Sequence, residues 1–393
     1  MVSSQQGRDP YVVSSDMNRT PQANLTAGAV RASVLARGSF GMRQRGRRIC
    51  PFVPCGFGSG VWSARMEHGG EGPASGRGVL SAIGNTPLVE LVSVVPAGSA
   101  RVFVKLEWAN PTGSMKDRMA RAAIEGAVRS GNLQPGDTVV EYTAGTTGVS
   151  LAFVCAALGY RLHAVFSDAF SEEKRLTMQA YGAVVEDVAS DHGRISEALI
   201  KALIARAEDV SARPGHWWCD QLNNHDAITG YYALGEEIWE QTAGAVDAFV
   251  HAVGTAHSIH GVTRALRSHK PGIHVTAVEP AESAVLSGGP TGSHRIEGIG
   301  IGFVPPLWEP DQVDDITAVT SDEAMRMARR LTREEGLFAG TSSGANVVAA
   351  LRTAEQLGPD ATVVTILCDS GLRYLSTELY QGRPATATGF EAS

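Results

Sequence analysis

The chain has 393 residues, a mass of 41.4 kDa, and 34 basic against 41 acidic side chains, which gives a formal net charge of -7. Single hydrophobic cores stop growing at roughly 250 to 300 residues, so this length predicts more than one domain, and the mild acidity argues against nucleic acid as the main partner. The longest nearly apolar stretch, 148–160, has about 13 residues, whereas a membrane-spanning helix needs roughly 20, so no membrane segment is predicted.

The N-terminal part differs in composition from the rest of the chain. Residues 1–65 hold nine Arg, no Lys, two Asp and no Glu, and residues 1–78 hold 13 of the 44 glycines. A stretch so rich in glycine and without hydrophobic periodicity predicts no packed core, so we interpret 1–78 as an extension. It is an Arg-rich transit peptide, a disordered tail, or upstream sequence translated ahead of Met66. The last two are favoured, because no clear amphipathic helix or apolar signal core precedes a cleavage site.

The number and spacing of the cysteines indicate the redox environment in which the protein works. There are five, at positions 50, 55, 155, 219 and 368. An odd number without compact spacing favours a reducing environment over a disulfide framework, so we expect a cytoplasmic location. Targeting of the extension to an organelle is the remaining alternative.

From Val79 onward, short β-branched runs alternate with helical patterns. The predicted strands are 102–106, 137–141, 161–166, 246–253, 273–278 and 362–368. The predicted helices include 115–130, 148–158, 194–207 and 322–335. This alternation predicts the α/β class, with mostly parallel sheets covered by helices on both faces. We divide the chain into an N-terminal lobe at 79–225, a C-terminal lobe at 226–385 and a tail at 386–393.

The first loop of chemical interest is 110–118. In folds of this class, ligands bind beyond the carboxyl ends of strands, where loops lead into helices. A Pro-Thr-Gly turn is followed by Ser114 at the predicted N-cap, so Lys116 lies in the first helical turn. There the helix dipole disfavours the ammonium form and lowers the pKa of the lysine, as a Schiff-base lysine requires. Taken alone, a solvated lysine beside Asp117 and Arg118 is the simpler explanation.

The second loop follows the predicted strand 137–141 and opens an apolar helix. It consists of Thr143, Ala144, Gly145, Thr146, Thr147 and Gly148. Several backbone N–H groups in a loop of small residues before a helix suit a carboxylate or a phosphate. An ordinary N-capped connection explains the pattern equally well.

The third loop follows the predicted strand 246–253. It consists of Gly254, Thr255, Ala256, His257 and Ser258. Glycine permits a close approach, and the hydroxyl groups add donors to the free amides, so a phosphate site is predicted. His257 and His260 lie one helical turn apart, but no third ligand or adjacent Glu completes a metal pattern, and no metal is expected.

The fourth loop, 340–346, leads from the helix at 322–335 into another helix. It contains Ser342 and Ser343 between two glycines. Either serine is a candidate helix cap. A functional role would require a hydroxyl group directed at a bound ring.

Seven segments occur in an order that matches a known family. They are Ile83-Gly84-Asn85-Thr86-Pro87-Leu88, 110–118, Ala180-Tyr181-Gly182-Ala183, Gln221-Leu222-Asn223-Asn224, Glu297-Gly298-Ile299-Gly300, 340–345 and 369–377. Together they resemble the cysteine synthase and cystathionine β-synthase family of pyridoxal-phosphate enzymes, which have fold type II and are similar to the tryptophan synthase β subunit. This implies two three-layer α/β/α domains, the N-terminal lobe carrying the cofactor lysine and the C-terminal lobe the phosphate loop.

The resemblance also implies roles for individual residues. Lys116 would form the internal aldimine with pyridoxal 5'-phosphate and later act as general base and acid. The remaining cofactor contacts would be Thr146, Gly254, Thr255, Ala256, His257, Ser258 and Ser342, the last at the pyridine nitrogen. The substrate carboxylate would be bound by Thr143, Ala144, Gly145, Thr147 and Gln221.

The implied reaction is a β-replacement on an activated L-serine, with O-acetylserine and sulfide giving L-cysteine and acetate. A neutral serine at the ring nitrogen makes the cofactor a weaker electron sink, which suits β-elimination. Because the substrate leaves in two halves, ping-pong kinetics are expected. A related synthase that uses O-phosphoserine or another nucleophile, and a catalytically reduced cofactor-binding partner protein, are the alternatives.

Two loops depart from the family pattern. The carboxylate loop usually reads Thr-Ser-Gly-Asn-Thr, whereas here Ala144 and Thr146 replace the Ser and the Asn. The phosphate loop usually reads Gly-Thr-Gly-Gly-Thr, whereas here Ala256 and His257 occupy the middle positions. We expect the β-carbon to forbid the left-handed backbone that glycine allows, and the imidazole to add a donor to the phosphate. These changes predict a shifted substrate.

The resemblance further implies a homodimer, and serine acetyltransferase is a possible partner because cysteine synthases bind its tail. Animal cystathionine β-synthases ligate haem through a Cys and a His ahead of the fold, and here Cys55 and His68 precede it. No motif ties the two together, so a haem site is not expected.

Overall fold

The computed structural model describes residues 78–193 and 196–381, which form two sheets. The six-stranded sheet has the order β1 (Leu88–Glu90), β2 (Arg101–Leu106), β10 (Thr362–Leu367), β7 (Ala248–Ala252), β8 (His274–Pro280) and β9 (Asp315–Val319). The four-stranded sheet has the order β5 (Val184–Asp187), β4 (Arg161–Phe166), β3 (Thr138–Tyr142) and β6 (His216–Trp218). All neighbouring strands are parallel except β1 and β2.

Helices connect these strands. They are α1 (Lys116–Ser130), α2 (Thr146–Leu158), α3 (Glu172–Ala180), α4 (Glu197–Ser211), α5 (Asp226–Thr229), α6 (Tyr232–Gln241), α7 (His257–His269), α8 (Ser321–Arg330), α9 (Thr341–Leu357) and α10 (Glu378–Gln381). Helix α8 begins with a capping box between Thr320 and Glu323 and continues as a π-helical turn, Leu331–Glu335. None of the helices in 78–193 and 196–381 has the length and apolar character needed to cross a bilayer.

The alternating faces of the central strands explain why both sheets have helices on each side. On β7, Phe249 belongs to one hydrophobic cluster, while its neighbours Ala248 and Val250 belong to another. On β3, Val139 and Val140 divide in the same way between two clusters. All five residues of each strand are buried, as expected for parallel strands covered on both faces. The predicted α/β class with mostly parallel sheets is confirmed.

The predicted elements are confirmed, with differences at their ends. Each of the six predicted strands is present within two residues of its expected bounds. Helix α4 extends to Ser211, beyond the predicted end at 207, and begins after Ser196, whose side chain accepts a hydrogen bond from the N–H of Leu199. The short strands β1, β5, β6 and β9 were not predicted, because they are partly exposed and lack a long apolar run.

The six-stranded sheet contains strands from both predicted lobes. Strands β1 and β2 precede 225 in the chain, yet they pair within the sheet formed by β7 to β10. The described residues of both lobes lie within one compact unit, 70–393. The boundaries at 79–225, 226–385 and 386–393 stay predictions. Residues 1–77 of the predicted extension 1–78, with Cys50, Cys55 and His68, and the predicted tail at 386–393 lie outside the described residues.

A buried ion network fixes the beginning of α1. The Arg118 guanidinium donates to Glu107 at 2.7 Å and to Glu237 of α6 at 2.8 Å, and Lys105 lies 2.7 Å from Glu237. Burial by itself raises the pKa of Glu237, but the hydrogen bonds and charges of Arg118 and Lys105 lower it to about 2. The network therefore anchors the helix that begins at Lys116.

Candidate active site

Five of the predicted cofactor contacts line one pocket beyond the carboxyl ends of the strands. They are Lys116, Thr146, Gly254, Ser258 and Ser342. Lys116, Thr146 and Ser342 each lie in the first turn of a helix, α1, α2 and α9 respectively, and Ser258 lies in the first turn of α7. Backbone N–H groups at helix N-termini have no partner within the helix, so the starts of these helices are sources of hydrogen-bond donors for a ligand in the pocket. The arrangement therefore suits an anionic ligand.

Lys116 begins α1. The hydroxyl oxygen of Ser114 accepts a hydrogen bond from the N–H of Lys116 at 3.2 Å, and Asp117 accepts from the N–H and the hydroxyl of Thr112 at 2.8 and 2.6 Å, which closes the loop. Burial lowers the pKa of the Lys116 ammonium, and the nearby Cys368 and Asp369 oppose this change only in part. Loss of the proton from the ammonium is thus made easier, as nucleophilic attack on an aldehyde requires.

The phosphate loop corrects one expectation. Ala256 has φ 69° and ψ -9°, so the left-handed backbone that its β-carbon was expected to forbid is present. The expectation was wrong because the strain of roughly 1–2 kcal/mol is partly offset by burial of the methyl group, which is 2% exposed in the main hydrophobic cluster. At Gly254, a β-carbon would lie 2.5 Å from the carbonyl oxygen of Gly298. Only glycine fits there.

His257 lies at the start of α7, within the loop. Its Nδ1 is 2.8 Å from the hydroxyl oxygen of Thr255, and its buried Nε2 has no hydrogen-bond partner among the described residues. Burial, with the charge of Lys116, lowers the pKa of His257 to about 3, so the ring is neutral. His260 Nε2 accepts from the N–H of Glu309 at 3.0 Å, and no cluster of three metal-ligating side chains occurs within 78–193 and 196–381. Neither Thr255, Ala256 nor His257 lines the pocket.

Hydrogen bonds to Thr143 and Gln221 stabilise the predicted carboxylate loop, residues 143–147. The Thr143 hydroxyl oxygen accepts from the N–H groups of Gly145 and Gly148 at 2.9 and 3.0 Å, and Ala144 is exposed at the apex. The Thr147 hydroxyl donates to the side-chain oxygen of Gln221 at 2.9 Å. Thr146 is the one residue of the loop at 143–147 that lines the pocket.

Gln221 is buried behind this loop. Its side-chain amide donates to the carbonyl oxygen of Tyr142 at 2.8 Å, and its N–H donates to Glu141 at 3.0 Å. Burial raises the pKa of Glu141 to about 8, although the hydrogen bond from the Gln221 N–H opposes this. The structure therefore places Gln221 in contact with Thr147 rather than with the pocket.

Several lining residues were not assigned a role from the sequence. Cys368 and Asp369 follow β10, and burial raises the pKa of Cys368 to about 12 and also raises that of Asp369. The Tyr374 hydroxyl donates to Asp369 at 2.7 Å. Asp369 and Tyr374 lie within 369–377, one of the seven segments that match the family, and this match was the signal that could have identified them as site residues.

Two further side chains meet at the edge of the pocket. Lys174 of α3 is 2% exposed, and its ammonium lies 2.5 Å from the carboxylate of Glu297, which lines the pocket. The stem of Lys174 crosses Gly145, where a β-carbon would lie 2.4 Å from the Lys174 Cδ. The sequence carried no signal for this pair, because its members are 123 residues apart.

The donor set fits pyridoxal phosphate. An amine, several hydroxyl groups and the free amides of a helix N-terminus share one pocket, and the backbone at Gly254 makes a close approach that a β-carbon would block. Lys116 can bind an aldehyde, the start of α7 can bind a phosphate, and the Ser342 hydroxyl can hydrogen-bond a ring nitrogen.

Comparison with known proteins agrees with this chemistry. Residues 79–369 match the family model described as pyridoxal-phosphate dependent enzyme. The chain is 43% identical over 309 residues to a cysteine synthase of Staphylococcus aureus strain Mu50, covering 77% of this chain and 96% of that protein.

Solved structures are similar in fold. A cysteine synthase from Entamoeba histolytica has a TM-score of 0.73 at 35% identity, covering 82% of this chain and 95% of that chain. An O-ureido-L-serine synthase has a TM-score of 0.74 at 36% identity, covering 79% and 96%. An O-acetylserine dependent cystathionine β-synthase from Helicobacter pylori has a TM-score of 0.72 at 33% identity, covering 77% and 98%.

Proposed function

The chain belongs to the family of pyridoxal-phosphate dependent enzymes, and from this premise we propose that it forms L-cysteine by replacing the β-substituent of O-acetylserine with sulfide. The observation that carries the proposal is the pocket in which Lys116, Ser258 and Ser342 come together. The identity of 43% to a cysteine synthase over most of the chain supports the choice of reaction.

The cofactor is held by residues from four helix N-termini. Lys116 binds its aldehyde, the amides of 255–258 with the Ser258 hydroxyl bind its phosphate, and Ser342 hydrogen-bonds its ring nitrogen. Gly254 allows the backbone to approach, and Thr146 contacts the ring. When bound, pyridoxal phosphate withdraws electrons from the α-carbon of an amino acid, so that the α-proton and then the β-substituent can leave.

Lys116 then moves the proton. Because burial lowers the pKa of its ammonium, the Lys116 side chain loses its proton more readily and as an amine can take the α-proton of the substrate. The carboxylate charge of Asp369 favours the ammonium that results. The same group can later return the proton.

The substrate is oriented by the loop at 143–147. Its backbone N–H groups at the start of α2 bind the carboxylate, and the Thr146 hydroxyl adds a donor in the pocket. Gln221 assists by holding the Thr147 side chain, to which it is hydrogen-bonded at 2.9 Å.

The test is Lys116→Ala, with Lys201→Ala as the matched control because Lys201 lies on the exposed face of α4. We expect Lys116→Ala to abolish covalent attachment of the cofactor and to lower cysteine formation by about a thousandfold or more. Borohydride reduction followed by peptide mass spectrometry locates the cofactor, and a cysteine assay with O-acetylserine and sulfide measures turnover. Cofactor retained on another lysine in the variant, or unchanged turnover, would disprove the proposal.

A second candidate function uses a different substrate pair in the same reaction class. The substitutions Thr146, Ala256 and His257 alter the loops that contact cofactor and substrate, and the similar structures include an O-ureido-L-serine synthase. Comparing O-acetylserine, O-phosphoserine and serine, each with sulfide or a thiol, discriminates the two. A kcat/KM for O-phosphoserine at least tenfold above that for O-acetylserine would favour this candidate.

We also propose a homodimer that works in the cytoplasm, with serine acetyltransferase as a further partner. The proposal for location is supported by Cys155, Cys219 and Cys368, all buried free thiols, as is typical of reducing compartments. The two assembly proposals follow from the family. Light scattering of the purified chain, alone and with the C-terminal peptide of a serine acetyltransferase, tests both.

A further inference from the structure

His251 is a buried polar residue of strand β7, one position before the strand ends. It is 2% exposed and lines the pocket, while the residues around it on the strand are Phe249, Val250 and Ala252. A polar ring at such a position destabilises the fold unless both nitrogens have hydrogen-bond partners. The partners of His251 therefore show what the ring does.

The first partner determines which nitrogen is unprotonated. Asn346 of α9 accepts from the N–H of Ala252 at 2.8 Å, and its amide nitrogen donates to the carbonyl oxygen of Ile366 at 2.7 Å. Both bonds agree on the orientation of the amide. The same amide nitrogen lies 3.2 Å from His251 Nδ1, so Nδ1 accepts and carries no proton.

The second partner receives the proton of the ring. Burial and the charge of Lys116 lower the pKa of His251 to about 3, so the ring is neutral, and its one proton lies on Nε2. Nε2 is 2.8 Å from the hydroxyl oxygen of Ser258 and donates to it. The Ser258 hydroxyl, having accepted this bond, keeps its own proton for another acceptor, and Ser258 lines the pocket.

We propose that His251 is a positioning residue that makes the Ser258 hydroxyl a hydrogen-bond donor to the phosphate of the cofactor. The inference rests on the proposed phosphate-binding role of 254–258. A chain of bonds runs from Ile366 through Asn346 and His251 to Ser258, so the core orients the hydroxyl before the phosphate arrives. Asn346 lies on α9, the helix that also carries Ser342. The same helix therefore supports both the proposed phosphate site and the proposed contact to the ring nitrogen.

The test compares His251→Gln with His251→Asn. The Gln amide can place an N–H where His251 Nε2 lies, whereas the shorter Asn amide reaches only the position of Nδ1. Apo-protein is titrated with pyridoxal phosphate and with pyridoxal, which lacks the phosphate. We expect the preference for pyridoxal phosphate to fall about tenfold in His251→Asn and to be kept in His251→Gln. Equal preferences in the two variants would overturn the inference.

Ser258→Ala supplies the second arm. It should lower the same preference, and adding His251→Asn to it should cause no further change, because the hydroxyl that His251 orients is already gone. A further loss in the double variant would show that His251 acts elsewhere and would refute the proposed role.

Nitrogen NMR of wild-type protein needs no variant to fold. The Nε2–H tautomer of His251 is expected, and the Nδ1–H tautomer would overturn the inference. If wild-type protein attaches neither aldehyde to Lys116, the proposed function fails. If it attaches both without the expected dependence on His251, only this inference fails.

Discussion

At the level of single residues, the conformation of the phosphate loop depends on what faces it. Gly254 approaches the carbonyl oxygen of Gly298, and Ala256 adopts a left-handed conformation while its methyl group is buried. The first position therefore requires glycine for space, whereas the second accepts alanine at the expense of backbone strain. The sequence indicates the first requirement, because glycine begins the loop, but it misleads about the second.

Gly254→Ala tests the close approach. A β-carbon 2.5 Å from the Gly298 oxygen forces the two loops apart, so we expect a loss of about 1–3 kcal/mol in the free energy of unfolding and a lower content of bound cofactor. Gly272→Ala is the matched control, because no heavy atom lies within 4 Å of the β-carbon it would add. Thermal unfolding and cofactor absorbance measure both effects. Equal behaviour of the two variants would mean that the contact is unimportant.

At the level of elements, the start of α1, which carries the proposed cofactor lysine Lys116, is fixed by ion pairs with other elements. Arg118 in its first turn is bound by Glu107 and by Glu237 of α6, and the N–H groups of Asn85 and Thr86 donate to Glu237 as well. The predicted helix 115–130 needed only hydrophobic periodicity. Its orientation required Glu237, which lies 119 residues from Arg118 along the chain, and no local pattern specifies that pairing.

Glu237→Gln tests this network. Removing the charge leaves the buried Lys105 without its carboxylate partner and Arg118 with Glu107 alone, so we expect a loss of about 3 kcal/mol in the free energy of unfolding at neutral pH. The pKa of Glu237 is lowered from 4.5 to about 2 in the folded chain. Its contribution to the free energy of unfolding is therefore fully present above pH 4.5 and is lost as the pH falls towards 2. Urea unfolding against pH should therefore show the two proteins converging in acid.

The control for this experiment is Glu90→Gln, which removes the exposed Glu90–Arg101 pair. We expect it to change the free energy of unfolding by less than about 1 kcal/mol. A loss as large as that of Glu237→Gln would contradict the importance assigned to burial.

At the level of the whole molecule, the pocket is formed by loops from both sheets. Thr146 follows β3 of the four-stranded sheet, whereas Gly254 and Cys368 follow β7 and β10 of the six-stranded sheet. Lys174 and Glu297 join the two sides at the pocket edge, and the stem of Lys174 packs on the carboxylate loop at Gly145. The pair therefore links the loop at 143–147 to the side of the pocket that contains Glu297.

Lys174→Met tests this coupling, because methionine keeps much of the stem and removes the charge. We expect KM for the amino-acid substrate to rise about tenfold with a smaller change in kcat, since the loop that we propose to bind the carboxylate loses its link to Glu297. Lys201→Met on the exposed face of α4 is the control. Steady-state kinetics with unchanged KM would refute the coupling.

The sequence by itself determined the class of the fold, the positions of the main strands and helices, and the loops that contain Lys116, Gly254 and Ser342. These features are local, because hydrophobic periodicity and the turn residues before a helix act over a few neighbouring positions. Only the tertiary structure decided that Ala256 is left-handed, that Gln221 lies behind the substrate loop and that His251 meets Ser258 and Asn346. These depend on which side chains meet when the sheets and helices pack, and partners such as His251 and Asn346 lie 95 residues apart.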